Sequence, residues 1–207
     1  MLNKIFSTDN TIFQFLNTLG YIWWLHILWV ACSLPIITMG ASTTALCYSC
    51  MKLRRKEGYV TQNFFHSFKE NFRQSTILFL FFLIIGSVLL LNLILTNQIA
   101  SGFAGLVRLG TLVLLVPYIM ALLYAFGVQA KFVNPVLKTL KYSFGVAWRY
   151  FGYTLQIFLI MAGFMWLNTT IVLANFVTLT IGVGIVGYWI SMYYGRIFEG
   201  IIGREKA

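Results

Sequence analysis

The sequence predicts an all-α polytopic membrane helix bundle, with six spans preferred over five and two amphipathic cytoplasmic helices. Three observations carry that prediction. Of the 207 residues 59% are hydrophobic and 10% charged, where soluble proteins hold roughly 45–50% apolar and about 25% charged residues. The mean hydropathy is +0.82, and the apolar residues fall in runs long enough to cross a hydrocarbon core of about 30 Å. The 15 Lys and Arg, set against five Asp and Glu, gather between those runs, as cytoplasmic loops do under the positive-inside rule. A water-soluble enzyme, a disordered chain and a disulfide scaffold are excluded. Nucleic-acid binding explains the basic excess less well than loop placement does. The chain 1–207 reads as a single membrane domain.

Asp9 is the expected N-cap of a helix running from Asn10 towards Ser33, giving a first span over 12–34. Pro35 interrupts it and Gly40 follows; the chain is apolar again over 36–53, crowded with the small residues Ala41, Ser42, Thr43, Thr44 and Ala45. As one straight helix 12–53 would measure about 60 Å, twice the hydrocarbon thickness, so a hairpin is expected at 34–40. A cytoplasmic segment, 54–74, leads to spans at 75–97 and 106–128. A second cytoplasmic segment, 129–149, leads to spans at 150–173 and 176–195, joined by a tight turn near Ala174 and Asn175. Met1 to Gln14 mixes polar and apolar residues with no small-residue cleavage site behind a short apolar core, so no cleavable signal peptide is expected.

Six spans place both termini and every basic residue except Arg108 in the cytoplasm; five leave Lys4 outside as well. An internal resemblance favours six. Ala45-Leu46-x-Tyr48 recurs as Ala121-Leu122-x-Tyr124, and Ser67-Phe68-x-x-x-Phe72-Arg73 as Ser143-Phe144-x-x-x-Trp148-Arg149, both displaced by 76 residues (45 to 121, 67 to 143). Each unit reads as an inward span, a basic segment and an outward span.

Within the basic segments, apolar residues at 64, 65, 68 and 72 make one face of a helix over 61–73. Asn134-Pro135 opens the second helix, whose stripe is Val136, Leu137, Leu140, Phe144 and Trp148. Such helices lie in the membrane interface or dock a cytoplasmic partner. The candidate docking residues are Phe64, Phe68, Lys69, Phe72, Arg73, Leu140, Phe144, Trp148 and Arg149.

Chemistry is sparse. His26 and His66 stand alone, no metal pattern exists, and all five acids (Asp9, Glu57, Glu70, Glu199, Glu205) fall outside the apolar cores, which argues against a proton-driven carrier. Cys47-x-x-Cys50 lacks a second pair or a His partner, and Gly182-x-Gly184-x-x-Gly187 lies inside a span, where small residues serve close helix approach. Asn92, Gln156 and Asn168 are intramembrane polar groups suited to interhelical hydrogen bonds, and the Trp residues sit near span ends as interfacial belts do. Ser33, Pro35, Thr38, Ser42, Thr43 and Thr44 could shape a polar pocket at the helix break. No catalytic residue, cofactor or metal site is expected.

The run Cys32-Ser33-Leu34-Pro35-Ile36-Ile37-Thr38-Met39-Gly40-Ala41-Ser42-Thr43-Thr44-Ala45-Leu46, with Lys52-Leu53, Glu57-Gly58 and Phe68-Lys69-Glu70-Asn71-Phe72-Arg73-Gln74, resembles the YesL-type family of small bacterial integral membrane proteins of unknown function. The likeness extends over the whole length, its specific signature over about 9–75. Members often lie beside genes for carbohydrate-import ABC transporters, so the resemblance implies a non-enzymatic accessory or regulatory subunit in the bacterial cytoplasmic membrane. Its partners would be the bilayer and the permease or ATPase of an importer. The E-A-A-x-x-x-G type loop by which importer permeases hold their ATPase is matched neither by Phe68-Lys69-Glu70 nor by Phe144-Gly145-Val146-Ala147. The alternative is an independent small-solute transporter or channel.

Overall fold

The computed structural model describes residues 11–99 and 101–205; the cap expected at Asp9 lies outside the described residues. All regular structure among them is helical. Helix α1 (Thr11–Ser33) ends in a short 3₁₀ turn (Ile36–Thr38), followed by α2 (Met39–Arg54), α3 (Val60–Gln98), α4 (Gly102–Phe132), α5 (Val136–Arg149) and α6 (Phe151–Thr170). The chain closes with α7 (Val172–Val177), a π-helical turn (Thr178–Gly182) and α8 (Val183–Glu205).

Five helical stretches are long and apolar enough to cross a membrane: Ile12–Ser33, Val60–Gln98, Gly102–Phe132, Phe151–Thr170 and Val172–Gly203. Their surfaces agree. Ile84, Leu90, Leu91 and Leu95 of α3 and Leu106, Leu109, Val113 and Leu114 of α4 are each more than half exposed. Water would drive such a surface to cover itself; hydrocarbon has no reason to, and helices satisfy their backbone groups internally as a bilayer requires. Helix α2 is not among the five. Its 16 residues reach about 24 Å.

Side-chain contacts fix the directions of the helices. Trp29 Nε1 donates to Thr43 Oγ1 at 3.2 Å and the Ser33 and Ser42 hydroxyls meet at 2.6 Å, so α1 and α2 form an antiparallel hairpin through the break expected at Pro35. Arg108 bonds Asn97, Tyr118 bonds the Phe82 carbonyl and Gln129 bonds Asn71, which sets α4 antiparallel to α3. The Tyr194 hydroxyl donates to the Leu123 carbonyl and the Phe132 and Phe198 rings meet edge to face, so α8 runs in the same direction as α4. Arg55 of the α2–α3 loop pairs with Glu199 of α8. The C-terminal ends of α2, α4 and α8 thus gather with the starts of α1 and α3 at one basic end, and Arg108 lies at the other.

Helix α2 sits in the middle, touching α1, α3, α4 and α8. It lies along the first half of α3: Gly40 rests against Ser75 and Phe79, Thr44 bonds Ser75 Oγ at 2.8 Å, and Leu46 and Cys50 cluster with Leu25, Leu28, Val60 and Phe64. A side chain at position 40 would collide with the Ser75 carbonyl, so glycine sets this close approach. A second core joins Tyr124, Val128, Tyr194, Ile197 and Phe198 with Ile157, and a third joins Leu78, Phe82 and Ala125.

Two expected boundaries move. The segment 54–74 and the span 75–97 are not separate elements, because α3 is one helix of 39 residues. Nothing stops it: no proline lies within it and its first glycine is Gly86, so a helix once nucleated continues across the polar-to-apolar change. The turn expected near Ala174 and Asn175 falls instead at Ile171 (φ −120°, ψ 110°). There the Thr169 and Thr170 hydroxyls bond back to the Trp166 carbonyl within a β-branched run that disfavours helix.

The 76-residue register survives in part. Tyr59 and Pro135, both extended, precede α3 and α5, which begin at Val60 and Val136; Ser67 and Ser143 are both fully buried. The second unit differs in breaking at Tyr150, between α5 and α6.

Candidate functional site

The basic end carries most of the charged chemistry. Helix α2 closes in a Schellman motif: Glu57 N bonds the Lys52 carbonyl and Lys56 N the Leu53 carbonyl, both at 3.0 Å. This puts Lys56 in the left-handed region (φ 56°), a place usually taken by glycine, with Gly58 (φ 67°) two residues on. Glu57 bonds Lys52, whose hydrogen bond holds the Glu57 carboxyl below its ordinary value of 4.5, and Arg55 bonds Glu199 at 2.8 Å. Lys52, Arg55 and Lys131 surround a gap of about 30 Å³ closed by Tyr48, Met51 and Phe198. Cations at these helix C-termini meet the negative end of the helix dipole, which offsets part of their mutual repulsion.

On the other side of the α2–α3 loop a cavity of about 470 Å³ opens between the start of α1, the loop and α8, with Gln14, Asn17, Arg54, Lys56 and Tyr188 in its wall. The Arg54 guanidinium lies 5.2 Å from the centre of the Tyr188 ring, a cation–π distance.

The expected docking residues divide between surface and interior. Phe64 is fully buried in the α1–α2–α3 core and Leu140 packs against the Leu78–Phe82 cluster, so these two brace the bundle. Phe68 is half-buried between Phe64 and Phe72, while Lys69, Phe72, Arg73, Phe144, Trp148 and Arg149 are exposed. On α5 the buried side is made of small residues, the polar Thr139 and Ser143 and the apolar Val146 and Ala147.

That side is held by a chain of buried hydrogen bonds absent from the sequence reading. Asn71 Nδ2 donates to the Ser67 carbonyl, Gln129 Nε2 donates to Asn71 Oδ1 at 3.1 Å, and Thr139 Oγ1 donates to Gln129 Oε1 at 2.6 Å. All three are at most 1% exposed. The amide pairs link α3, α4 and α5, and every polar atom they bury is matched as a low-dielectric interior requires. Of the polar groups expected to serve this role, Gln156 is exposed and Asn168 bonds within its own helix to the Phe164 carbonyl.

The residues expected to shape a polar pocket form a hydrogen-bonded seam instead. Thr38 bonds the Cys32 and Pro35 carbonyls, Ser42 meets Ser33, Thr43 bonds the Met39 carbonyl and Thr44 meets Ser75, while Pro35 is exposed. Their hydroxyls are spent on stitching α1, α2 and α3 together.

Residues 11–93 match the family of proteins of unknown function DUF624. The match takes in α1, the seam, α2 and most of α3, less than half of the 207 residues. No curated protein and no solved structure matches the chain. The DUF624 stretch therefore contributes the α1 and loop walls of the cavity, and the unmatched remainder contributes Tyr188.

His26 is a packing residue. It is 2% exposed in α1 and its Nε2 lies 2.8 Å from the Leu179 carbonyl, inside the π-helical turn. A π turn loosens the regular i→i−4 ladder, and the carbonyl it turns out meets the ring of a neighbouring helix. The glycine triplet likewise marks packing: a side chain on Gly184 would meet the Ile22 carbonyl at 2.6 Å, and one on Gly187 would meet Leu46 at 3.2 Å. Cys32, Cys47 and Cys50 are free thiols.

Proposed function

We propose that the protein is a non-enzymatic accessory subunit of the YesL-type family, embedded in the bacterial cytoplasmic membrane with its basic end in the cytoplasm, and that it engages a carbohydrate ABC importer. One observation supports a docking role above the rest. The outer face of α5 presents Leu137, Phe144 and Trp148, from 43% to 75% exposed, on a helix whose inner face is fixed by the Asn71–Gln129–Thr139 chain. An aromatic surface on a rigid support loses little entropy on binding. Carbohydrate import rests on the family resemblance alone.

The topology proposed is six membrane elements with both ends of the chain on the cytoplasmic side. The start of α1 shares a cavity with the α2–α3 loop, and that loop pairs with α8 near its end. Chain ends on one side call for an even number of crossings, so α2 is the return element for α1. With its 3₁₀ turn α2 reaches about 30 Å, and its small polar residues are enclosed by protein rather than lipid.

The test is a pull-down of the tagged protein from its native membrane in mild detergent, read by mass spectrometry, beside a Phe144→Ala/Trp148→Ala variant. Co-purification of an importer permease or ATPase that falls several-fold in the variant is the expected result. Recovery of the protein alone, with solute flux through the pure protein in liposomes, would overturn the accessory reading in favour of an independent carrier.

A further inference from the structure

We infer that the cavity between α1, the α2–α3 loop and α8 is a binding site for a phosphate-bearing anion of the glycerophosphate class, occupied by an anionic phospholipid headgroup. Two cations in its wall have no carboxylate partner among the described residues. Three acids pair elsewhere: Glu57 with Lys52, Glu70 with His66 and Glu199 with Arg55. Arg54 and Lys56 are left with no carboxylate partner among the described residues. Both line the cavity, and Glu57, also in its wall, has its carboxylate turned to Lys52.

Both cations are also placed by the fold. Arg54 is laid on the Tyr188 ring, which orients a planar fork suited to bidentate contact with phosphate oxygens. Lys56 occupies the left-handed position of the helix cap, where a lysine is strained and a glycine is not. Strain kept at a charged residue on a cavity wall is the kind that binding sites retain.

The remaining walls suit the rest of a phospholipid. Gln14 and Asn17 of α1 line the same cavity with amide groups that can hydrogen-bond a glycerol. Phe13 in the same wall and the neighbouring Phe15 and Leu16 are exposed, giving acyl chains an apolar surface to follow. A volume of about 470 Å³ accommodates a headgroup and its phosphate. A free glycerophosphate shares the polar chemistry without the chains.

Binding of dihexanoyl-phosphatidylglycerol, dihexanoyl-phosphatidylcholine and sn-glycerol 1-phosphate to the full chain in neutral detergent tests this. Phosphatidylglycerol is expected to bind at least ten-fold tighter than phosphatidylcholine. The Arg54→Gln/Lys56→Gln variant should lose that preference, while Lys138→Gln/Lys141→Gln, which removes the same charge elsewhere, should keep it. Lys56→Gly gives a second reading: it removes the ammonium and so should weaken binding, while relieving the backbone strain keeps the protein folded. If glycerol phosphate binds as tightly as the lipid, the phosphate site stands and its ligand is soluble. Wild-type binding by Arg54→Gln/Lys56→Gln, or an equal loss in Lys138→Gln/Lys141→Gln, would overturn the site.

Discussion

Lys56 and Glu57 are neighbours with opposite energetic roles. A lysine held at φ 56° stores about 1 kcal/mol that glycine would not, so Lys56→Gly should raise the thermal midpoint of the purified protein; a lowered midpoint would mean that the ammonium stabilises the loop. Glu57 works the other way. Its folded value lies below the ordinary 4.5 because Lys52 hydrogen-bonds the carboxylate. The pair's contribution is therefore full above about pH 4.5 and is lost as the pH falls through the lowered value. Both side chains are a third or more exposed, so the effect is small. A Glu57→Gln variant should be slightly less stable than wild type at pH 7 and equal to it at pH 3, measured by unfolding at both pH values. The charges themselves are plain in the sequence. Which cation finds a carboxylate and which is left over is not, since Arg55 and Glu199 meet across 144 residues.

Among the elements, α5 shows how a helix is tied to a membrane bundle without a hydrophobic driving force. Between helices in lipid, packing and hydrogen bonds do the work, and α5 relies on Thr139 reaching Gln129, which reaches Asn71. Gln129→Ala leaves Asn71 Oδ1 buried and unmatched and reduces the Thr139 hydroxyl to its 3.5 Å bond with the Asn134 carbonyl. It should cost roughly 1–3 kcal/mol, against little for Phe144→Ala, whose ring is 43% exposed. Unfolding in mixed micelles checks the ranking; equal costs would refute the chain's role. The apolar stripe of α5 could be read from spacing because it obeys a helical period. Its anchor could not, since Asn71 and Gln129 lie 58 residues apart in segments where polar residues are expected in any case. Phe64 shows the converse: periodicity put it on a face with Phe68 and Phe72, but α1 and α2 cover that part of the face.

For the whole molecule the decisive property is the side on which each end lies. With Cys32, Cys47 and Cys50 replaced, single cysteines at Gln14 and at Gly203 should react with an impermeant thiol reagent from the same side of the membrane, and one at Ser101 from the other. Labelling of positions 14 and 203 from opposite sides would refute α2 as a return element and restore five crossings.

Composition and hydropathy by themselves determined that this chain is a helical membrane bundle, roughly where its apolar runs lie, and that its cations gather between those runs. These are local properties: a side chain's preference for lipid or water, and a proline's effect on a helix, act where the residue stands. Only the tertiary structure decided that 60–98 is one helix, that the hydroxyls around Pro35 form a seam, and that Arg54 and Lys56 line a cavity without a carboxylate partner among the described residues. Each depends on groups far apart in sequence meeting across helices, and on satisfying buried polar atoms whose partners no period or spacing names.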